Sequence, residues 1–290
     1  MRTDIHGGDD TTAYCFPALA KLNLFLHVTG RRADGYHCLE SVFVLLDLAD
    51  IVTLTLRNDG VIAREQEIPG VPEDADLTLQ AARLLQEAAG TTLGVTLKVD
   101  KRIPQGGGLG GGSSDAATVL MALNRLWETR LSRHELSALA LRLGADVPFF
   151  LGGTAAFVSG IGEVLRPVSL PPMWIALAMP PVAVPTGEIF SSPHLTRDTA
   201  SETITAFTKD HGRNDLEPVV AKRYPEVAAA LAALRKATPT ARMSGSGASV
   251  FGVFDDAGKA RAALRKLPPD ISGRLVRTVS RHPLVAWSFR

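Results

Sequence analysis

Apolar and polar residues alternate between residues 18 and 28. The apolar positions are Leu22, Leu24, Leu26 and Val28, and the polar positions of opposite parity are Lys21, Asn23 and His27. A period of two is typical of a β-strand, whose successive side chains point to opposite faces. The pattern therefore predicts an early strand that carries Lys21 and Asn23 on the same face.

Turn signals follow this strand. Asp34 and Gly35 form an Asp-Gly pair, which is typical of a tight turn, and the apolar run at residues 38–48 indicates a second strand of a hairpin-like unit. Tyr36 and His37 lie at the edge of the turn. Helical spacing then fills residues 76–89 and stops at Gly90.

A glycine-rich segment separates a strand at residues 95–99 from the next helix. This helix is expected to run to Trp127, with Ser113, Ser114 and Asp115 supplying its N-terminal caps. Further helices are expected at residues 132–143 and 225–237. After Gly162 the composition changes to a proline-rich, uncharged segment. This change predicts two domains, residues 1–165 and 166–290.

Composition narrows the possible partners. The 290 residues include 31 Lys and Arg against 30 Asp and Glu, a formal charge of +1, so no global field favours nucleic acid or an anionic membrane. Cys15 and Cys38 are the only cysteines, and we expect two buried free thiols in a reducing compartment. The leader has no apolar signal region, which favours a cytoplasmic protein.

The glycine-rich segment is the strongest chemical signal. It reads Pro104-Gln105-Gly106-Gly107-Gly108-Leu109-Gly110-Gly111-Gly112-Ser113-Ser114-Asp115. Glycine lets backbone N–H groups turn inward, and the N-terminus of the following helix adds free N–H groups, which together make a phosphate cradle. A flexible linker is the less favoured interpretation. The loop has no lysine after Gly112, which excludes a Walker A loop, and its dinucleotide-type glycine spacing is a weak match.

Two charged residues stand in apolar surroundings. Lys21 interrupts an apolar strand, and Asp146 lies between a helix stop at Gly144 and the sequence Pro148-Phe149-Phe150. Alone, Asp146 would be a capping residue and Lys21 could extend to solvent from a strand edge. A buried lysine requires an anion, however, so pairing the two satisfies both.

Two further segments are ambiguous by themselves. Tyr36 and His37 could form a packed turn, but an aromatic face and an imidazole donor also suit a nucleobase. The loop Ser244-Gly245-Ser246-Gly247 could be a tight turn or a phosphate contact.

Six ordered segments together resemble the GHMP family of small-molecule kinases. They are residues 20–26, 32–37, 108–114, 144–148, 185–186 and 244–247. The resemblance covers nearly the whole chain, and six motifs in order are far more specific than one glycine loop. The chain departs from the family pattern at Asp76, where asparagine is frequent, and at Leu19, where proline is frequent.

The resemblance implies a two-domain α+β fold with the active site in a cleft between the domains. It further implies ATP with Mg²⁺, whose protein ligands stay unidentified, and a small-molecule substrate with a cytidine diphosphate moiety in isoprenoid precursor synthesis by the non-mevalonate route. The residues implied to contact ATP are Pro104, Gly106, Gly107, Gly108, Leu109, Gly110, Gly111, Gly112, Ser113 and Ser114. Lys21 and Asp146 would flank the acceptor hydroxyl.

The substrate contacts are likewise implied by the resemblance. Asn23 would bind the acceptor part, Tyr36 and Phe190 would sandwich the cytosine, and His37 would read its edge. Thr186 would line the acceptor side, and Gly245 would lie against the substrate. The alternatives are a mevalonate-type or homoserine-type GHMP kinase and a non-catalytic nucleotide sensor. We expect a monomer or weak homodimer.

Overall fold

The computed structural model describes residues 12–201 and 212–289. The strands are β1 Ala13–Arg31, β2 His37–Arg57, β3 Ile62–Arg64, β4 Gly94–Asp100, β5 Ala156–Ser159, β6 Val164–Pro167, β7 Trp174–Met179, β8 Arg242–Met243, β9 Val250–Phe254 and β10 Ser272–Val279. The helices are α1 Leu77–Ala89, α2 Gly111–Leu126, α3 Arg133–Leu143, α4 Val147–Gly152, α5 Thr186–Phe190, α6 Glu217–Arg223, α7 Pro225–Arg235, α8 Ala257–Leu264 and α9 Val285–Ser288.

The predicted hairpin is confirmed, and its strands are longer than expected. β1 and β2 pair antiparallel along almost their whole length around the turn that contains Gly35. β2 also pairs with β4, β5 and β10, so this strand connects the strands of the N-terminal half of the chain to β10 and the strands beyond it. The described strands form one sheet in the order β3-β4-β2-β10-β7-β9-β8, with β1 and β5 attached to β2 and β6 to β5.

A register shift in β1 corrects one detail of the sequence pattern. Asn23 lies opposite Phe43 and Leu26 opposite Ser41, so two residues of β1 face the single residue Val42. An extra residue on one strand moves the following side chains to the other face. Leu26 therefore lies in a different core cluster from Leu22, and the prediction that both share one face is wrong.

The helices confirm most of the predicted boundaries. The carboxylate of Asp76 caps α1 by accepting the N–H of Thr78, and Gly90 ends the helix in a left-handed conformation. Ser132 and Glu135 form a reciprocal capping box at the start of α3. Because Asp76 is the N-cap, its departure from the family pattern retains a residue type that caps helices well.

Two expectations from the sequence are wrong. Helix α2 begins at Gly111 with Gly110 as its N-cap and without a capping side chain, so Ser113, Ser114 and Asp115 lie within the helix. The two cysteines are free, but Cys15 is exposed and Cys38 is only partly buried.

Three clusters of apolar side chains form the core. One packs helices α1 to α4 against the sheet, and a second packs α6, α7 and α8 against β7 and β9. The third joins β1 and β2 to β7, β9 and β10. The mixture of helices with a largely antiparallel sheet confirms the α+β class. The domain division at residue 165 stays a prediction. Among the described residues, no helix has the length and apolar character needed to cross a bilayer.

Candidate active site

A cleft of about 550 Å³ is lined by the glycine loop, β1, α5 and the residues before β9. It brings together most of the residues predicted for the site. These are Lys21, Asn23, Pro104, Gly106, Gly107, Gly108, Leu109, Gly110, Gly111, Gly112, Ser113, Asp146, Thr186, Phe190 and Gly245. Because they come from β1, the glycine loop, α5 and the segment after β8, the cleft is formed from both halves of the chain.

Lys21 and Asp146 form the ion pair predicted from the sequence. The Nζ atom of Lys21 lies 3.2 Å from Oδ2 of Asp146. Lys21 is almost completely buried, whereas the Asp146 side chain keeps 34% of its surface exposed. Among the described residues, the Asp146 carboxylate makes no capping hydrogen bond to α4. The structure therefore pairs this carboxylate with a buried cation and leaves part of it open to the cleft.

The orientation of Lys21 is fixed by neighbours on the sheet. Its Nζ donates to Oδ1 of Asn23 at 2.6 Å and lies 4.4 Å from the centre of the Phe43 ring. The amide nitrogen of Asn23 in turn donates to the hydroxyl of Ser41 at 3.0 Å, and Ser41 donates to the carbonyl of Phe25. Ser41 lines the cleft but carries no local sequence signal, because its role depends on the pairing of β1 with β2.

The glycine loop requires glycine at specific places. Gly106, Gly108 and Gly110 have φ values of +63°, +71° and +69°, which side chains of L-residues rarely adopt. A Cβ atom on Gly108 would lie 2.1 Å from the carbonyl oxygen of Ser244. The close approach of the two loops therefore excludes any side chain at this position.

Hydrogen bonds join the glycine loop to the segment before β9. The carbonyls of Gly106 and Gly107 accept the N–H groups of Ala248 and Ser249, at 3.1 and 3.2 Å. The hydroxyl of Ser244 donates to the carbonyl of Gly108 at 3.0 Å. The segment 244–249 consequently holds the glycine loop in place. Gly245 and Ser246 also line the cleft, so a contact of this segment with a ligand stays a prediction.

Ser114 differs from the other predicted loop residues. Its N–H donates to the carbonyl of Gly110 at 2.9 Å, and its side chain is fully buried and is not among the residues that line the cleft. This geometry does not support the expected contact of Ser114 with ATP. Ser113, one residue earlier, lines the cleft.

A charged cluster beneath the loop was missed by the sequence reasoning. The Nζ atom of Lys101 contacts the carboxylates of Asp50 and Asp115, the latter at 2.7 Å. Asp50 also accepts the N–H groups of Arg102 and Ile103, at 2.5 and 2.7 Å. The cluster therefore links the chain before the loop to the first turns of α2. Lys101 lies three residues before Pro104, where the loop begins, but its two partners follow only from the tertiary fold.

Burial sets the charge state of this cluster. Burial raises the pKa of Asp115 to about 7, against the opposing effect of the Lys101 charge. Burial alone would lower the pKa of Lys101, but the two carboxylates raise it above its ordinary value. One cation faces two carboxylates in this buried site, and the raised pKa of Asp115 means that this carboxyl holds its proton into the neutral range.

The residues expected to bind a base are only partly assembled. The His37 ring stacks on the Phe190 ring, with centroids 5.2 Å apart and planes 30° apart. Tyr36 is 61% exposed. Within the described part of the chain, Phe190 lines the cleft, whereas Tyr36 and His37 lie beside it at the β1–β2 turn. Thr186 begins α5, the helix that ends at Phe190, and its hydroxyl is 2.7 Å from that of Ser246.

Two family profiles match the chain. The profile of the GHMP kinases N terminal domain covers residues 76–154, and that of the GHMP kinases C terminal covers residues 202–270. Together they span just over half of the sequence. The chain therefore belongs to the GHMP kinases and is a small-molecule kinase, which accounts for the glycine loop and implies ATP as the phosphate donor.

Similar proteins narrow the comparison within this family. A protein of Thiobacillus denitrificans named 4-diphosphocytidyl-2-C-methyl-D-erythritol kinase is 57% identical over 93% of this chain and 96% of its own length. A crystal structure of 4-(cytidine 5'-diphospho)-2C-methyl-D-erythritol kinase is 34% identical, with a TM-score of 0.79, over 91% of this chain and 99% of the other. The crystal structure of the homoserine kinase from Cytophaga hutchinsonii shares the fold alone. It is 16% identical, with a TM-score of 0.67, over 97% of this chain and 98% of the other.

Proposed function

We propose that the chain transfers the γ-phosphoryl group of ATP to the 2-hydroxyl of 4-diphosphocytidyl-2-C-methyl-D-erythritol. The products are the 2-phosphate and ADP, in the non-mevalonate synthesis of isoprenoid precursors. The observation that carries this proposal is the Lys21–Asp146 pair at a glycine loop, in a chain 57% identical to a kinase with that name.

Lys21 and Asp146 are the proposed catalytic residues. The acceptor oxygen forms a bond to the γ-phosphorus while the bond from that phosphorus to the β–γ bridging oxygen breaks, and ADP leaves. The hydroxyl proton passes to the partly open carboxylate of Asp146. Lys21 holds this carboxylate in position and stabilises negative charge that develops on the transferring group.

The glycine loop and the start of α2 are the proposed ATP site. The first N–H groups of a helix have no carbonyl partner within the helix, and α2 begins at Gly111 on the edge of the cleft. The loop carbonyls of Gly106, Gly107 and Gly108 already accept hydrogen bonds from residues 244–249. Phosphate binding by loop N–H groups is therefore the function that suits the geometry.

An oxygen donor beside the loop suits Mg²⁺. Ser113 lines the cleft at the start of α2, and its hydroxyl is a hard oxygen ligand. Among the described residues no cluster of three metal-ligating side chains occurs, and Mg²⁺ in kinases takes most of its ligands from phosphate and water. When bound, Mg²⁺ would neutralise charge on the phosphate oxygens.

The substrate would lie across the cleft from α5 to β1. Asn23 would contact the erythritol part, Thr186 would line the acceptor side, and Gly245 would border it. Phe190 and Tyr36 would hold the cytosine between them, beside His37. We further propose a cytoplasmic monomer or weak homodimer that binds neither nucleic acid nor a membrane.

A kinase assay with four acceptors tests the proposed reaction. ATP-dependent turnover should be highest with the cytidylyl substrate and much lower with methylerythritol phosphate, mevalonate or homoserine. Equal or faster phosphorylation of an acceptor without cytosine would contradict the substrate assignment and favour a related GHMP kinase. ATP binding without turnover of any acceptor would favour a nucleotide sensor.

A further inference from the structure

Arg197 joins two residues of the proposed base pocket. Its Nε donates to Nε2 of His37 at 3.0 Å, and one terminal nitrogen donates to the carbonyl of Phe190 at 3.0 Å. The same terminal nitrogen donates to the carbonyl of Ser192 at 2.7 Å, and the other donates to the carbonyl of Leu195 at 3.1 Å. One planar guanidinium group thus holds the His37 ring and the end of α5 together.

These contacts determine the protonation of His37. A guanidinium group is always charged and has only hydrogen-bond donors, so the nitrogen of His37 that faces it must accept. A ring that accepts at Nε2 is neutral and carries its proton on Nδ1. His37 therefore presents an N–H donor on the side of the ring turned away from Arg197.

The surrounding charges favour the same state. Burial lowers the pKa of His37 below its ordinary value, and the positive charges of Arg197 and Arg31 lower it further. The stack on Phe190 leaves the ring little freedom to reorient. At neutral pH the His37 ring is consequently neutral, and its Nδ1–H is the hydrogen-bond donor.

We propose that Arg197 is a positioning residue for pyrimidine recognition, which holds His37 as a neutral Nδ1–H donor and couples it to Phe190. The inference rests on the proposed function, in which this pocket binds cytosine. Both pyrimidines present an acceptor at O2, but N3 is an acceptor in cytosine and carries an N–H in uracil. The Nδ1–H donor of His37 is assigned to N3, where it satisfies cytosine and opposes the N–H of a uridylyl analogue.

The state of His37 can be measured without any turnover. Nitrogen chemical shifts of the imidazole in the wild-type protein report which nitrogen carries the proton. We expect Nδ1–H at pH 7.5 and a titration midpoint below the usual value near 6.5. A proton on Nε2, or a cationic ring at that pH, would overturn the proposal.

Substitution of Arg197 tests the effect on recognition. Arg197→Met should raise the KM for the cytidylyl substrate on the order of 10- to 100-fold, since hydrogen bonds from a charged group are lost, with kcat and the KM for ATP unchanged. It should also raise the His37 titration midpoint and reduce discrimination against the uridylyl analogue. Arg197→Lys should restore part of the KM effect, because an ammonium group replaces one donor but not the planar set.

A matched control and a separate readout complete the test. Arg261→Met removes an exposed arginine of α8 and should change none of these quantities. If Arg197→Met alters kcat or the ATP KM as strongly as the substrate KM, Arg197 has a general structural role and the proposal fails. If the wild-type protein does not phosphorylate the cytidylyl substrate, the proposed function fails. The role of Arg197 is then still decided by a binding titration with cytidine and uridine monophosphates, in which the His37 nitrogen signals report binding.

Discussion

The ammonium group of Lys21 lies 3.2 Å from the carboxylate of Asp146, although the two residues come from a strand and from the segment before a short helix. The same ammonium group donates a hydrogen bond to Oδ1 of Asn23 at 2.6 Å. A lysine held by two oxygen atoms cannot be replaced without leaving the carboxylate uncompensated, so the arrangement behaves as one unit.

Removal of either member of this pair should slow turnover strongly. We expect Asp146→Asn to lower kcat about 10²- to 10⁴-fold and Lys21→Ala about 10²- to 10³-fold, with the substrate KM little changed. The double variant should be scarcely slower than the slower single variant. Steady-state rates measure this, with circular dichroism as the folding control. Rate losses that multiply in the double variant would mean that the two residues act independently.

A side chain at Gly110 should impair ATP binding. Its φ is +69°, and a Cβ atom there would lie 3.0 Å from Cγ of Lys21 and 3.1 Å from the Phe150 ring. Gly110→Ala should therefore weaken ATP binding by about tenfold or more, since the strained loop costs on the order of 1–2 kcal/mol. Gly152→Ala is the control, because a Cβ atom at Gly152 meets nothing within 4 Å. Calorimetric titration with ATP that gives equal affinities for both variants would remove Gly110 from the site.

The exposed ring of Tyr36 should act as a stacking surface for the base. Tyr36→Phe should be mild, whereas Tyr36→Ala should weaken substrate binding by about 1–3 kcal/mol, the usual range for one aromatic stack. The matched control is Leu141→Ala, which removes another exposed apolar side chain from α3. Substrate affinity in Tyr36→Ala equal to that of the control would place the base elsewhere.

The buried carboxyl of Asp115 should make stability depend on pH. Its pKa is raised to about 7 in the folded protein by burial, so between pH 4 and 7 the folded state holds a proton that the unfolded state releases. This contribution to stability is complete below pH 4 and declines as pH rises towards 7. Asp115→Asn should therefore gain stability relative to the parent as pH increases through this range.

Urea unfolding of both proteins at several pH values measures the effect. The difference in unfolding free energy between Asp115→Asn and the parent isolates this one carboxyl from the other acids. A difference that is constant between pH 4 and 8 would mean that Asp115 is ionised throughout, with its charge fully balanced by Lys101.

Local patterns in the sequence determined the elements and much of the site. The alternation around Lys21 indicates a strand, the Ser132 and Glu135 pair indicates a helix start, and the glycines of the loop permit the left-handed conformations found at residues 106, 108 and 110. These features depend on residues a few positions apart, which is why their effect can be predicted before the chain is folded.

Tertiary structure alone decided which side chains meet. The extra residue in β1 reverses the faces after Asn23, and this depends on the partner strand rather than on the period of the sequence. Asp50 and Asp115 reach Lys101, and Arg197 reaches His37, across separations at which no local pattern operates. A buried charge requires a partner of opposite charge, so the sequence alone could show that Lys21 needs an anion. At the other charged contacts of the site, strand register and side-chain packing determine which groups meet.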